Sequence, residues 1–142
     1  MVGQFIIMFA KDQIKERINN LKKFVVRTGF ASIGGNKGCV AIRFQIDNTA
    51  FAFLNVHLAS GQYSNSERME SLRQIYNDTF NEFSVCNTQE KCYHDYKCIF
   101  GDFNFRLDLQ YDEAIELISQ KNYKQLQMHD SLDKSKQNCK IL

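Results

Sequence analysis

Apolar residues fall in short bursts along this chain, and the spacing inside each burst predicts an element. "QFIIMFA" at 4–10 is a compact apolar run that predicts a buried strand at the very start. "KDQIKERINNL" follows with Ile14, Ile18 and Leu21 at helical spacing and Asp12 available as a cap, which predicts a surface helix. "KFVVRTGF" is β-branched and aromatic, "ASIGGNKG" breaks it, and "CVAIRFQI" resumes strand character up to a turn at Asp47, Asn48 and Thr49. "AFAFLNVHL" then returns, so residues 39–58 predict two strands around a short turn. In the second of them the two-residue period places Phe51, Phe53, Asn55 and His57 on one face. A face that starts apolar and ends polar is that of a strand leaving a core and entering a site.

From Asn65 to Phe83 the period changes to 3.6, with Met69, Leu72, Ile75, Tyr76, Phe80 and Phe83 on one stripe and Glu67, Glu70 and Arg73 elsewhere. That stripe predicts a long amphipathic helix packed on a core. A polar loop through residues 87–91 leads to a further strand, "YKCIFG", and residues 111–120 carry one more helical pattern. Strands and helices interleave, which predicts an α/β layer architecture with a mixed sheet: a turn-linked pair plus helical crossovers. There is no internal repeat, low-complexity tract or proline-rich linker.

Composition narrows this picture only a little. A chain of 142 residues with 44% hydrophobic and 13% aromatic residues suits one domain with a real core, which argues against disorder. A formal charge of +2 names no partner and speaks weakly against a nucleic-acid binder. No apolar run approaches the roughly 18–20 residues that cross a bilayer, so the expectation is a cytoplasmic protein, peripheral at membranes at most. Five cysteines are an odd number in a chain without a basic leader and apolar signal core, which points to a reducing, intracellular setting. Cys92, His94 and Cys98 lack the paired spacing of a structural zinc site, so incidental thiols are the expectation there. Asn77-Asp78-Thr79 matches a glycosylation sequon but lies in the predicted helix, and is discounted.

Three segments could carry chemistry. In "CIFGDFNFRLDL" at 98–109, Asp102 and Asn104 are two apart in an extended segment, so they project to one side while Phe103 and Phe105 take the other. An ionised aspartate can take a proton from water, and a carboxamide beside it can donate to an anionic oxygen, which suits attack on phosphorus. The plain alternative is an Asx turn, in which both side chains bond nearby backbone. "NVHL" at 55–58 also ends a strand, where His57 could donate to a developing phosphoryl charge or serve only in packing. "GGNKG" at 34–38 offers glycines for close approach and Asn36 and Lys37 for an anion, or a simple strand-entry turn.

Together and in this order, "RTGF", "GGNKGCVAIRF", "NVHLASG", "ERMESLRQIY", "IFGDFNFRLDL" and "HDSL" resemble the catalytic domain of the inositol polyphosphate 5-phosphatases, within the endonuclease/exonuclease/phosphatase superfamily. The resemblance runs from about Gly3 to Leu132. It implies a two-sheet α/β sandwich whose strand ends gather a Mg2+-dependent phosphatase site. It makes Asp102 the base that activates water, Asn104 the holder of the scissile phosphate and His57 a donor to a phosphate oxygen. Asn36 and Lys37 match the segment that contacts the inositol 1-phosphate region. Arg106 and Arg68 are expected to support the site through ion pairs, and Asn55 to orient the strand end.

The family's metal-binding Asn and Glu lie upstream of Gln4 in this alignment of motifs, so no metal ligand is assigned here. The Tyr-Lys, Cys-Asp-Arg and Ser-Asp-His segments of the family would follow the end of the chain, which contains no Trp and no Pro. Residues 1–142 are thus expected to be a partial catalytic domain without its N- and C-terminal parts, an incomplete sandwich inactive by itself. The implied ligand is a phosphoinositide or soluble inositol polyphosphate, with peripheral membrane contact and no nucleic acid. Two other readings stay open: a nuclease of the same superfamily, and a non-catalytic module that grips an anionic headgroup through Lys37, His57 and Asn104.

Overall fold

The structure, a computed structural model, describes residues 3–28, 36–83 and 94–138. Four strands form one sheet in the order β1-β2-β3-β4: β1 (Ile18–Arg27), β2 (Gly38–Ile46), β3 (Thr49–His57) and β4 (Tyr96–Asp102). Five helices accompany them: α1 (Asp12–Lys15), α2 (Asn65–Phe83), α3 (Tyr111–Ser119), α4 (Tyr123–Met128) and α5 (Ser131–Asn138). β1 with β2 and β2 with β3 are antiparallel, whereas β3 and β4 run parallel with α2 in the crossover between them. The sheet is therefore mixed, as the interleaved pattern predicts. A parallel neighbour needs a long connection, and the 19-residue α2 provides it.

The β2–β3 hairpin turns on Asp47 and Asn48, with Ile46 facing Thr49. Asp47 has a φ of 51°, a left-handed conformation that a short polar side chain tolerates. Arg17 closes over this turn with a forked hydrogen bond to both carboxylate oxygens of Asp47. That contact holds the Asp47 carboxyl below its ordinary range and raises the guanidinium.

Two expectations at the N-terminus fail. The helix expected through Leu21 is only the four residues of α1, with Lys11 rather than Asp12 at the N-cap position and no side-chain cap, and Ile18 already begins β1. The ladder with β2, from Ile18 opposite Ile46 onwards, outweighs a three-residue helical spacing. The register slips between Asn19 and Lys22, and Asn20 takes a φ of 51°, so the strand accommodates this polar stretch as a bulge. The run "QFIIMFA" pairs with no strand among the described residues, and Phe5, Ile7 and Phe9 are 69%, 64% and 91% exposed. It is tethered through side chains instead: Asn55 Nδ2 donates to Phe5 O at 3.0 Å, and Gln4 Nε2 to Asn55 O at 3.3 Å.

The core lies between α2 and one face of the sheet. Val26, Cys39, Ala41, Ala52, Leu54 and Val56 meet Leu72 and Ile75, with Phe24, Met69, Ile99, Phe103 and Phe105 at the margin. Alanines at 41 and 52 leave room for the helix to settle on the strands. The opposite face is half-open: its aromatic rings form a ladder, Phe44 stacking on Phe51 and Phe53 and Phe51 on Tyr96, at centroid distances of 5.2–5.9 Å. Phe51, Phe53, Asn55 and His57 share this face, each partly buried, as their spacing predicts. Among the described residues there is one sheet, so the second layer of a sandwich is not among them.

Candidate active site

The site grows out of the parallel pairing of β3 with β4. In that register His57 lies directly opposite Asp102, and Leu58 N–H continues the ladder to Asp102 O at 2.9 Å. Close approach of the two strands depends on Gly101, whose φ is 120° and whose added Cβ would fall 2.2 Å from Val56 O and 2.5 Å from Asn55 Oδ1. No other residue type fits there without moving a strand. β2 begins on the same side, because Gly38 pairs with His57 and places Lys37 just outside the ladder. Lys37 Nζ comes within 2.6 Å of His57 Nε2.

The two oxygens of Asp102 have different surroundings. Oδ1 accepts the backbone N–H of Asn104 at 3.0 Å, which is the Asx turn that the sequence allowed. Oδ2 faces His57 Nε2 at 3.6 Å, too long for a hydrogen bond, and the side chain is 62% exposed, so this oxygen remains open to water. Turn and chemistry are thus compatible: one oxygen fixes the backbone while the other is available as a base.

Asn104 does not continue an extended strand. Its φ is 55°, and its carboxamide turns back to donate from Nδ2 to Leu58 O at 3.0 Å while Oδ1 accepts from Arg106 Nη2 at 3.1 Å. One N–H of the amide remains for an anionic oxygen. Phe103 and Phe105 pack against the core, so the segment does separate a packed side from a polar one. The backbone of Arg106 is held from behind by Ser131, whose Oγ accepts Arg106 N–H at 3.0 Å and donates to Arg106 O at 2.6 Å. Its place in the "HDSL" segment gives Ser131 no role by itself: the contact with Arg106 exists because the β-bridge of Leu107 with Asp130 brings it there.

Both arginines donate to neutral oxygens. Among the described residues, no ion pair joins Arg68 or Arg106 to a carboxylate; Arg106 serves an amide oxygen, and Arg68 Nη1 donates to Ala59 O at 3.2 Å and Gly61 O at 2.8 Å. Arg68 is completely buried beneath the loop after β3, with its guanidinium 5.4 Å from the centre of the Phe105 ring. Burial lowers its pKa, and the charge of Arg106 lowers it further. α2 points this side chain at backbone carbonyls that take Nη1 alone, and Nε and Nη2 are buried without a hydrogen-bond partner among the described residues. Asn55 is engaged with Phe5 O, on the N-terminal segment. Asn36 is exposed in the turn entering β2, and the glycines at 34 and 35 lie outside the described residues.

Among the described residues no three His, Cys, Asp or Glu side chains stand close enough to hold a metal ion. Asp102 is the carboxylate of the cluster, and half of it is engaged in the turn. Of the cysteine-histidine group considered for zinc, Cys92 lies outside the described residues.

The chain as a whole is similar to known proteins. The profile of endonuclease/exonuclease/phosphatase family 2 matches residues 1–142. Inositol-1,4,5-trisphosphate 5-phosphatase 1 of Schizosaccharomyces pombe is 36% identical over 136 residues, covering 94% of this chain and 12% of that protein. Synaptojanin-2 of Rattus norvegicus is 34% identical over 141 residues, covering 99% and 9%. The chain thus spans about a tenth of the length of these relatives. Among solved structures, the inositol polyphosphate 5-phosphatase domain of SPsynaptojanin, in complex with inositol (1,4)-bisphosphate and calcium, superposes with a TM-score of 0.72 at 33% identity. That match covers 89% of this chain and 35% of the other. With its whole length matched by the profile and 89% of it covered by the structural match to that domain, this chain belongs to the endonuclease/exonuclease/phosphatase family, beside the inositol polyphosphate 5-phosphatases.

Proposed function

We propose that these residues form the central part of a phosphoinositide or inositol polyphosphate 5-phosphatase, which hydrolyses the 5-phosphate monoester. The observation that carries this reading is the strand register that sets His57 opposite Asp102, with Lys37 reaching the same point. A carboxylate with one open oxygen can take a proton from the attacking water, and the remaining N–H of Asn104 can hold a phosphate oxygen. His57 and Lys37 supply donors to the negative charge that builds on the phosphoryl group. Mg2+ is the expected metal of the complete domain, with ligands from outside these 142 residues, and the setting is cytoplasmic with peripheral membrane contact.

Phosphate release from phosphatidylinositol bisphosphate and from soluble inositol polyphosphates by the full-length gene product tests the reading. Replacing Asp102 by Ala should lower turnover by at least about a hundredfold, the ordinary scale for loss of a general base. Unchanged turnover in Asp102→Ala would remove Asp102 from the role of base. A second reading follows from the metal ligands that the family places upstream of Gln4, with no group of three His, Cys, Asp or Glu side chains close enough for a metal among the described residues. In it the site binds an anionic headgroup without turning it over. Co-sedimentation with phosphoinositide liposomes that depends on Lys37, with no phosphate released at any protein concentration, would establish that reading in place of the first.

A further inference from the structure

The phosphatase reading gives Lys37 and His57 separate tasks, one toward the 1-phosphate region of a substrate and one at the scissile group. The structure joins them. Lys37 Nζ lies 2.6 Å from His57 Nε2, within hydrogen-bond distance, and an ammonium can only donate. Nε2 is then the acceptor, and the neutral imidazole carries its proton on Nδ1. The other neighbour of Nε2, Asp102 Oδ2 at 3.6 Å, is itself an acceptor and can be served only if Nε2 bears a proton. Nε2 stands between a donor and an acceptor, and the lysine is the nearer.

The backbone delivers Lys37 to this point. Lys37 O accepts Thr28 N–H at 3.2 Å, and Gly38 follows with a φ of 139°. A Cβ on residue 38 would fall 2.0 Å from Val26 O, so the chain enters β2 pressed against β1 and only glycine allows it. Because Gly38 is the register partner of His57, the residue before it is set beside the end of β3.

We propose that Lys37 is a positioning residue for His57: it holds the imidazole as the Nδ1–H tautomer while the site is empty, and releases it when a phosphate anion enters. An anionic oxygen is a better acceptor for an ammonium than a neutral ring nitrogen, so Lys37 turns to the phosphate. Nε2 then takes a proton from water as Nδ1 returns one, with no change of net charge. His57 becomes a donor at Nε2 only when there is an anion to receive the bond. This deepens the phosphatase reading and rests on it for the identity of the anion.

The test is side-chain 15N spectroscopy of full-length protein labelled on histidine, with the His57 signals identified by their loss in His57→Gln, and inorganic phosphate as the probe. Without phosphate, Nε2 of His57 should resonate in the unprotonated range, and saturation with phosphate should move it to the protonated range. In Lys37→Met no donor holds Nε2, and the exposed Asp102 carboxylate is free to close on it as an acceptor, so Nε2 should be protonated from the outset and indifferent to phosphate. Lys37→Arg keeps a donor and should restore the wild-type pattern. A protonated Nε2 in the phosphate-free wild type, or a wild-type tautomer in Lys37→Met, overturns the proposal. If Lys37→Met does not fold, the titration of wild-type protein decides, and an unchanged tautomer overturns it. A phosphate-dependent tautomer shift in a protein that never releases phosphate would retain this proposal and reject the phosphatase reading.

Discussion

Cys39 sits where β2 meets β3, fully buried opposite Val56, and burial pushes its thiol up from an ordinary 9.0 to about 12. The thiolate is the reactive form, so at pH 8 a maleimide should leave Cys39 unlabelled in the folded protein and modify it in denaturant, as read by peptide mass mapping. Cys98, exposed on β4, should label in both states. The raised pKa also fixes a sign. Between about pH 9 and pH 12 the unfolded thiol has lost its proton while the folded one keeps it, so this contribution to stability is complete below pH 9 and lost as pH rises toward 12. Urea melts across that window should show the decline in the wild type and less of it in Cys39→Ala. Arg68 teaches a different lesson at the same scale. It lies four residues before Leu72 and seven before Ile75, so it belongs to the buried stripe, and Thr79 continues that stripe on the other side. An apolar-only reading of the helix skips both. Arg68→Ala removes two hydrogen bonds to the loop after β3 and leaves a cavity, and should cost on the order of 2–4 kcal/mol in denaturant melts.

At the scale of elements, α2 was the most legible part of the chain: its observed span, Asn65–Phe83, is the span of the periodic pattern. Nineteen residues give more than five turns of repeated spacing, which no competing strand pattern can imitate. Short bursts lack that redundancy. "QFIIMFA" has the composition of a buried strand, yet a strand exists only where an edge receives it, and no ladder among the described residues takes this run. The reverse happened at Ile18, where a spacing of helical type was absorbed into β1 by the waiting edge of β2. α4 and α5 went unpredicted because Tyr123–Met128 and Ser131–Asn138 are too short and polar to show a period. The β3–β4 pairing rests on a single residue without a side chain. Gly101→Ala should destabilise the fold by about 2–3 kcal/mol, through both its left-handed backbone and the clash with Val56 O. It should also weaken amide protection at Leu58, whose N–H bonds Asp102 O, in hydrogen-exchange measurements.

The whole molecule presents one packed face and one half-open face. Val25, Tyr96 and Phe100 on the open side of the sheet, with Phe5, Ile7 and Phe9, leave large apolar groups in water. The 142-residue chain expressed alone should therefore melt broadly and aggregate on heating. Mg2+ at millimolar concentration should not raise its melting temperature, since a ligand stabilises only a native state that binds it, and no three-ligand group is found among the described residues. Calorimetry with and without Mg2+ checks this, together with phosphate release. A sharp transition raised by several degrees, with metal-dependent release, would mean that this chain builds a complete site.

What the sequence determined by itself was everything that depends on neighbours along the chain. The alternation in "AFAFLNVHL" set one face toward the helix and one toward the site, and the helical period chose the seat of α2. The motif around Asp102 named both its possible chemistry and its turn, since an Asx turn is a bond between residues two apart. Tertiary structure decided what depends on which strand lies beside which. The pairing of His57 with Asp102, 45 positions away, follows from the register of two parallel strands, and no local pattern encodes that register. The same holds for Lys37 on His57, for Ser131 behind Arg106, and for carbonyls rather than carboxylates around Arg68. In each case a side chain's partner is set by the backbone that packing brings within about 3 Å, the distance over which a hydrogen bond acts.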